Sequence, residues 1–577
     1  RIRRNKRIKQ YIFTANFNRK ARMSVICNLW LHRSKFLKFK SKQINKSIIN
    51  RFLVVIHITV MLISCKNESQ NEQKQIIRFN SPSGITSLDP AFARTQENIR
   101  AVNQLFNGLL QLDNNLNIIP AIAKNYTISS DAKTYTFVIK KDIFFHNDPV
   151  FRNKKREVTA HDFVYSFNRI INPNTASDGA WIFNEIIDKT EPFYAPNDST
   201  LEIQLRKPFT PLLSMLTMAY CFVVPQEAVE HYGNNYGKNP VGTGPFRFAN
   251  WAEGIKLNLV KNENYFESTR ANPIPKIDAI SIYFIQSKQT ELLELTQGKL
   301  NLFTGLESSF KDEILTVDGL LKPKYRTNFE LKKSPFLNTE YLAFNLEDIN
   351  SPIHDVNFRK AIHHSIDRIK MLRYLRNGVG KPANGGFCPL GLPSYQITKK
   401  RQYDQNIAKK YLVKSAVKQT KPLILTTTAD YLDLCILVQK NCGDIGIKIK
   451  IDVVPSSLLK QQKSVGDLAF FRSSWIADYP DGENYMACFY SKNKAPQGPN
   501  YTRYNNPDFD AAYLHLLSET DPLKRQDLFV GLQYNLEINQ PYILLFYDES
   551  IWIRSNSLVN VKVNPLNHLD LRQAYFR

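Results

Sequence analysis

What this chain lacks narrows its class before any motif is read. Its 577 residues hold seven cysteines, at positions 27, 65, 221, 388, 435, 442 and 488, with no Cys-x-x-Cys pair and no His/Cys zinc spacing. A stapled mini-domain and a structural zinc module are therefore excluded. Cys435 and Cys442 stand seven residues apart on one expected helix, about 10 Å along its axis and beyond disulfide reach. With Cys27 and Cys65 set aside, the other five are expected to be buried free thiols. The hydrolase patterns Gly-x-Ser-x-Gly and His-Glu-x-x-His are missing, and no Cys is paired to a signalled His. A phosphate loop is missing too: Lys238 follows Gly237, but Asn239 cannot supply the hydroxyl that such a loop needs. Acidic residues are absent from residues 1–64, which carry sixteen Lys or Arg. The net charge of +25 is thus concentrated in the leader, and the remainder carries only +9. A nucleic-acid surface is not required.

Long apolar runs are scarce as well. Residues 52–63 form a twelve-residue run broken by His57 and Thr59, short of the ~20 residues that span a bilayer as a helix. After a basic stretch, such a run suits a signal-peptide core. Leu62-Ile63-Ser64-Cys65 follows, then a polar stretch at 66–75. The tetrapeptide resembles a bacterial lipobox, which implies a mature chain starting at a lipid-modified Cys65 and tethered to membrane through more than one acyl chain. The chain starts at Arg1 and its first Met is Met23, so part of residues 1–40 is expected to be translated sequence upstream of the true start.

Length alone calls for more than one core, hence two or more lobes. The stretch 467–481 reads as a buried strand running into a turn at Pro480 and Asp481. On that loop or its approach stand Arg472, Trp475 and Asp478, followed by Tyr479. Ligands of open α/β sheets bind outside the carboxyl ends of strands, where a cation, an aromatic and an anion can meet a zwitterion. An internal ion pair beside a core Trp is the plainer reading of the same residues.

Earlier in the chain, residues 76–79 read as a strand and 95–106 as a helix. Tyr135, Phe137 and Ile139 alternate as a strand does. Thr159 is an expected N-cap with Asp162 in the first turn, and Phe163, Val164, Phe167, Ile170 and Ile171 give that helix an apolar face. His146 and His161 are read as structural. The adjacent His363 and His364 point about 100° apart on a helix and suit no shared metal. Gly-Thr-Gly-Pro at 242–245 allows a bend into a hairpin at 246–259. Asp355 caps a helix that carries Phe358, Ala361 and Ile362. Strand 423–428, helix 430–442, strand 447–454, helix 456–463 and strand 468–471 make a β-α-β-α-β run, and late strands are expected at 541–547 and 551–554.

Several of these stretches, in this order, resemble the peptide/nickel solute-binding family of ABC importers, above all its oligopeptide-binding members. They are the Leu-Asp-Pro turn at 88–90, Leu-Phe-Asn-Gly-Leu at 105–109, Thr-Ala-His-Asp-Phe-Val-Tyr-Ser-Phe at 159–167, Gly-Thr-Gly-Pro-Phe at 242–246, Tyr-Leu-Ala-Phe-Asn at 341–345 and Trp-Ile-Ala-Asp-Tyr at 475–479. The resemblance covers nearly all of residues 76–577. It implies an α/β, two-lobed periplasmic-binding-protein fold (type II, large cluster with an extra domain), with mixed sheets and a hinge between lobes. The implied parts are a leader at 1–64, a tether at 65–75, a discontinuous lobe I (76–106, 222–337 and 546–577), an extra domain II (107–221) and lobe III (338–545). It further implies that Asp478 takes a peptide's α-ammonium, that Arg472 can take its carboxylate, and that Trp475 and Tyr479 line the cleft. Where oligopeptide binders present a Tyr near the ligand, this chain has Asp178-Gly179-Ala180-Trp181, so Trp181 is expected to fill that space. The implied role is capture of short peptides and delivery to an ABC permease with its ATPase subunits. The protein is expected to be a monomer on the periplasmic or cell-envelope side, with no cofactor, metal, nucleic acid or turnover. The same fold in this family also serves nickel complexes, opines, glutathione and oligosaccharides; an exported hydrolase is the rival class.

Overall fold

The computed structural model describes residues 74–577 apart from 153, 189, 306–309, 396–402 and 416. The basic leader, Cys27, the lipobox Cys65 and the tether up to residue 73 lie outside the described residues. Among the described residues no helix is long and apolar enough to cross a membrane, and Cys221, Cys388, Cys435, Cys442 and Cys488 are all buried free thiols.

One eleven-stranded mixed sheet runs through the molecule. From one edge its path is Ile449–Val453, Leu423–Thr427, Phe470–Ile476, Phe329–Phe344, Tyr542–Ser555, Leu302–Thr304, Ile76–Asn80, Ala279–Tyr283, Lys256–Lys261 and Phe246–Ala252, and the eleventh strand, Lys381–Pro382, pairs with Tyr542–Ser555 off this path. The first three are parallel, with Leu423–Thr427 in the middle, as expected of a β-α-β-α-β run. The two long strands at the centre, Phe329–Phe344 and Tyr542–Ser555, are antiparallel, with register shifts between Pro335 and Thr339 and between Glu340 and Tyr341. A separate four-stranded antiparallel sheet is built from Ala123–Ile128, Thr134–Ile139, Thr200–Gln204 and Phe193–Asn197. The inward side chains of Thr134–Ile139 are Tyr135, Phe137 and Ile139, all buried.

Local signals explain most elements. Thr159 and Asp162 form a reciprocal capping box at the start of Ala160–Ile171, and the Phe358 amide donates to Asp355 at 2.8 Å ahead of Val356–Ser365. Gly242 and Gly244 do not bend the chain through a left-handed φ, since neither is among the positive-φ residues. They are glycines because a Cβ at Gly244 would stand 2.4 Å from the carbonyl carbon of Leu105, and one at Gly242 2.1 Å from its oxygen. His146 locks this contact, with Nε2 3.0 Å from the Gly244 carbonyl oxygen. Burial pushes its pKa down to about 4, so the ring is neutral and structural.

Two expectations need correction. The late strands are one continuous strand, Tyr542–Ser555, because the segment between them stays paired to Phe329–Phe344. The strand expected at 468–471 extends to Ile476, because residues 470–476 find partners one for one at 344–338. Arg472 and Trp475 consequently lie inside a strand and not on the loop.

Candidate ligand-binding site

Strand geometry decides where the site's side chains go. Successive residues of a strand face opposite sides, so Arg472 and Trp475, three apart, point away from each other. Arg472 shares a face with Glu340, which lies diagonally across on the neighbouring strand. Its Nε donates to Glu340 Oε2 at 3.1 Å and its Nη2 donates to the same oxygen. The guanidinium also lies 3.3 Å from the ring centre of Tyr431. The pair is enclosed, with side-chain exposures of 11% for Arg472 and 3% for Glu340. Burial opposes the charge on Arg472, and Glu340 with Tyr431 outweighs it, holding the guanidinium above its ordinary pKa. The network continues along the sheet: Asn338 donates to Glu340 Oε1 at 3.0 Å and to Asp548 Oδ2 at 3.3 Å, and Arg376 reaches Asp548 at 3.2 Å.

On the other face, Trp475 donates its indole N–H to Asn484 Oδ1 at 2.8 Å. Asp478 lies two residues beyond the strand and is exposed to solvent. Accessible water does not make its surroundings water-like: the protein mass around the carboxyl desolvates it and pushes its pKa up, with the neighbouring Asn484 amide acting against that rise. Among the described residues Asp478 has no ion-pair partner. Tyr479 is buried and donates its hydroxyl to Glu483, which also accepts from Tyr513. Burial raises the pKa of Glu483.

A separate part of the chain meets this loop. Trp181, 43% exposed, packs its ring 6.2 Å from that of Tyr479. Behind it the Tyr220 ring lies against Gly179, where a Cβ would stand 2.6 Å from two of its ring atoms, so only glycine lets the 178–181 turn sit this close. Burial, then Asp178, then Asp478 push the Tyr220 phenol up to about 12. Asp178 is paired with Arg94 at 3.4 Å on an exposed edge. A cavity of about 310 Å³ adjoins the loop, between Ile118, Thr210 and Ser214 on one side and Pro480, Asp481 and Arg525 on the other. A larger cavity, about 410 Å³, lies elsewhere around Arg572, whose guanidinium is already satisfied by Asp570, Glu267 and Gln111.

The structure thus brings Trp181, Trp475, Asp478 and Tyr479 together around one loop, and holds Arg472 on the opposite sheet face beneath Glu340 and Tyr431. Sequence reasoning missed Glu340, Tyr431, Asn484, Tyr220 and Asp178. Only the first carried a signal, an acid placed immediately before the Tyr341 motif. No metal-holding cluster of His, Cys, Asp and Glu occurs among the described residues.

Comparison with known proteins gives the family and the fold. The family model for bacterial extracellular solute-binding proteins, family 5 middle, matches residues 117–497. The chain is 24% identical over 542 residues to the oligopeptide-binding protein OppA of Bacillus subtilis strain 168, covering 89% of this chain and 94% of that protein. It is 23% identical over 493 residues to the glutathione-binding protein GsiB of Salmonella choleraesuis, covering 84% and 91%. Among solved structures, HbpA2 from Haemophilus parasuis superposes with a TM-score of 0.77 at 19% identity, covering 87% of this chain and all 100% of that one. That likeness is one of fold: a two-lobed periplasmic binding protein.

Proposed function

Since this chain belongs to the bacterial extracellular solute-binding proteins of family 5, we propose that it captures short peptides by their amino terminus in the cleft beside residues 475–481 and delivers them to an ABC permease. The observation that carries this reading is Asp478: a carboxylate open to solvent, desolvated by its surroundings, and without an ion-pair partner among the described residues. Once a ligand covers it, such a group is costly unless a cation meets it. An α-ammonium is a cation that every unblocked peptide carries, and the aromatic rings of Trp181, Trp475 and Tyr479 around it suit a cation and an extended backbone. The name of the Bacillus subtilis relative, an oligopeptide-binding protein, supports the ligand class.

Arg472 serves the carboxylate of those peptides whose length brings it there, and it does so by sharing or giving up Glu340. Lipid attachment at Cys65 keeps the protein at the membrane where its permease works. The role is one of binding and release, so the ligand leaves chemically unchanged. Native mass spectrometry of the purified protein tests the reading: the expected result is co-purified short peptides with free amino termini. A metal complex, or a sugar bound without peptide, would overturn it.

A further inference from the structure

Two arginines near the carboxyl end of the chain line adjoining cavities, which share Asn114 and Lys562 in their walls. Only one of the two is satisfied. Arg572 spends Nε and both Nη groups on Asp570, Glu267 and Gln111. Arg554 donates Nη2 to Glu330, while its Nη1 is buried and meets no acceptor among the described residues. The Arg554 side chain is 12% exposed. A cationic N–H shut away from water without an acceptor is unfavourable until an anion supplies one.

The cavity that Arg554 lines holds about 370 Å³, and strand register sets its chemistry. Glu330 stands opposite Arg554 and Lys332 opposite Trp552 on the two long antiparallel strands, so these four side chains share one face. Lys333 turns to the other face, where its Nζ reaches the Gly378 carbonyl at 3.5 Å. Glu330 is the acid of the shared face, and it pairs with Lys332 as well as Arg554. Lys562 enters from another wall and is exposed, and it has no ion pair among the described residues. Asp570, opposite Lys562 in their strand pair, is already held by Arg572. Three cations therefore face one carboxylate, and no Asp or Glu is among the described residues that line the cavity. Much of the remaining wall is apolar, with Leu302 and Trp552 both buried and Val563 partly so.

We propose that this cavity is a second ligand site, one that takes a small organic anion. The oxyanion head meets Arg554 Nη1, Lys332 and Lys562, and the apolar body lies against Leu302, Trp552 and Val563. The site is distinct from the one beside Asp478, since no residue of 475–481 lines it. Its walls come from the strands Phe329–Phe344 and Tyr542–Ser555, from Asn114 and from the 561–563 segment. An occupant thus joins parts of the chain that are far apart in sequence, and by binding only the folded protein it raises the unfolding temperature.

The test is calorimetry on the full chain with phenyl phosphate as probe, beside inorganic phosphate and benzyl alcohol, which carry its head and its ring alone. Wild type should bind one phenyl phosphate per chain, about tenfold tighter than inorganic phosphate because the ring is buried. Added sodium chloride should weaken that binding, and benzyl alcohol should give no saturable heat. Arg554→Gln should lower the affinity about tenfold or more, and Lys562→Gln, a change at an exposed residue, about threefold. Glu330→Gln removes the acid that competes with the ligand and should raise the affinity, a gain that a damaged fold does not produce. No saturable heat with phenyl phosphate overturns the site, as does unchanged affinity in Arg554→Gln and Lys562→Gln together. Loss of phenyl phosphate binding in saturating trialanine places the anion in the peptide site and overturns a second one. Sedimentation with phosphatidylglycerol vesicles, without binding of the soluble probe, overturns a solute site in favour of a membrane contact.

Discussion

Replacing Glu340 by Gln should strengthen Arg472 as a receptor for carboxylates by removing the partner that occupies it. In the native protein both Nε and Nη2 of Arg472 are bonded to one oxygen of Glu340, and the side chains are 11% and 3% exposed. Breaking a buried pair of this kind costs roughly 3–5 kcal/mol, because the remaining charge is left without compensation. Gln can still accept from Asn338, which donates to Glu340 Oε1 at 3.0 Å, so the lower end, about 3 kcal/mol, is expected. A ligand carboxylate that reaches the freed guanidinium recovers part of that loss, and recovery of about 1.4 kcal/mol is a tenfold gain in affinity. The assay is calorimetry with alanine peptides of two to five residues, each as free acid and as carboxyl-terminal amide. Wild type should bind acid and amide within about threefold at most lengths, and Glu340→Gln should favour the acid by about tenfold at one length. If acid and amide bind Glu340→Gln equally at every length, Arg472 does not face the ligand.

Other consequences follow from the same structure. His146 is neutral in the fold with a pKa near 4 and titrates near 6.5 when unfolded, so its stabilisation is complete above pH 6.5 and is lost as pH falls toward 4, about 3 kcal/mol across that window. Urea unfolding at pH 7 and 4.5 should show a smaller pH dependence in His146→Asn; an equal one would refute the buried neutral ring. Gly244→Ala should lower stability by about 2 kcal/mol or more, since its Cβ meets main-chain atoms of Leu105 that cannot turn aside, and an unchanged denaturation midpoint would contradict that contact. Cys65→Ser should abolish metabolic labelling with fatty acid; a wild type that takes up no label removes the anchor.

How much of this was legible in the sequence depended on whether the cause was local. Caps such as Thr159 with Asp162, the Phe246–Ala252 and Lys256–Lys261 hairpin, and the parallel run around Leu423–Thr427 arise from neighbours in the chain, and their patterns were readable. The length of the Phe470–Ile476 strand was not, because it is set by pairing with residues 338–344, more than a hundred positions earlier. That extension decided the site. It put Arg472 and Trp475 on opposite faces, joined Arg472 to Glu340, and left Asp478 alone on the loop. Asn484 was illegible for a related reason: an amide next to Glu483 acquires meaning only when the turn at Asp481 and Gly482 folds it back under Trp475. Gly482 permits this, as a Cβ there would stand 2.4 Å from Ser394 Oγ.

The central claim is that Asp478 receives an α-ammonium, and one measurement addresses it without any mutation: calorimetry of the wild-type protein with a peptide identified from the purified sample, compared with the same peptide acetylated at its amino terminus. Acetylation removes the cation and keeps everything else, so the bound peptide covers the Asp478 carboxylate without pairing it. The account predicts a loss of about 2–5 kcal/mol, roughly 30-fold to several thousandfold in affinity. Equal affinity for the free and acetylated peptides would contradict it.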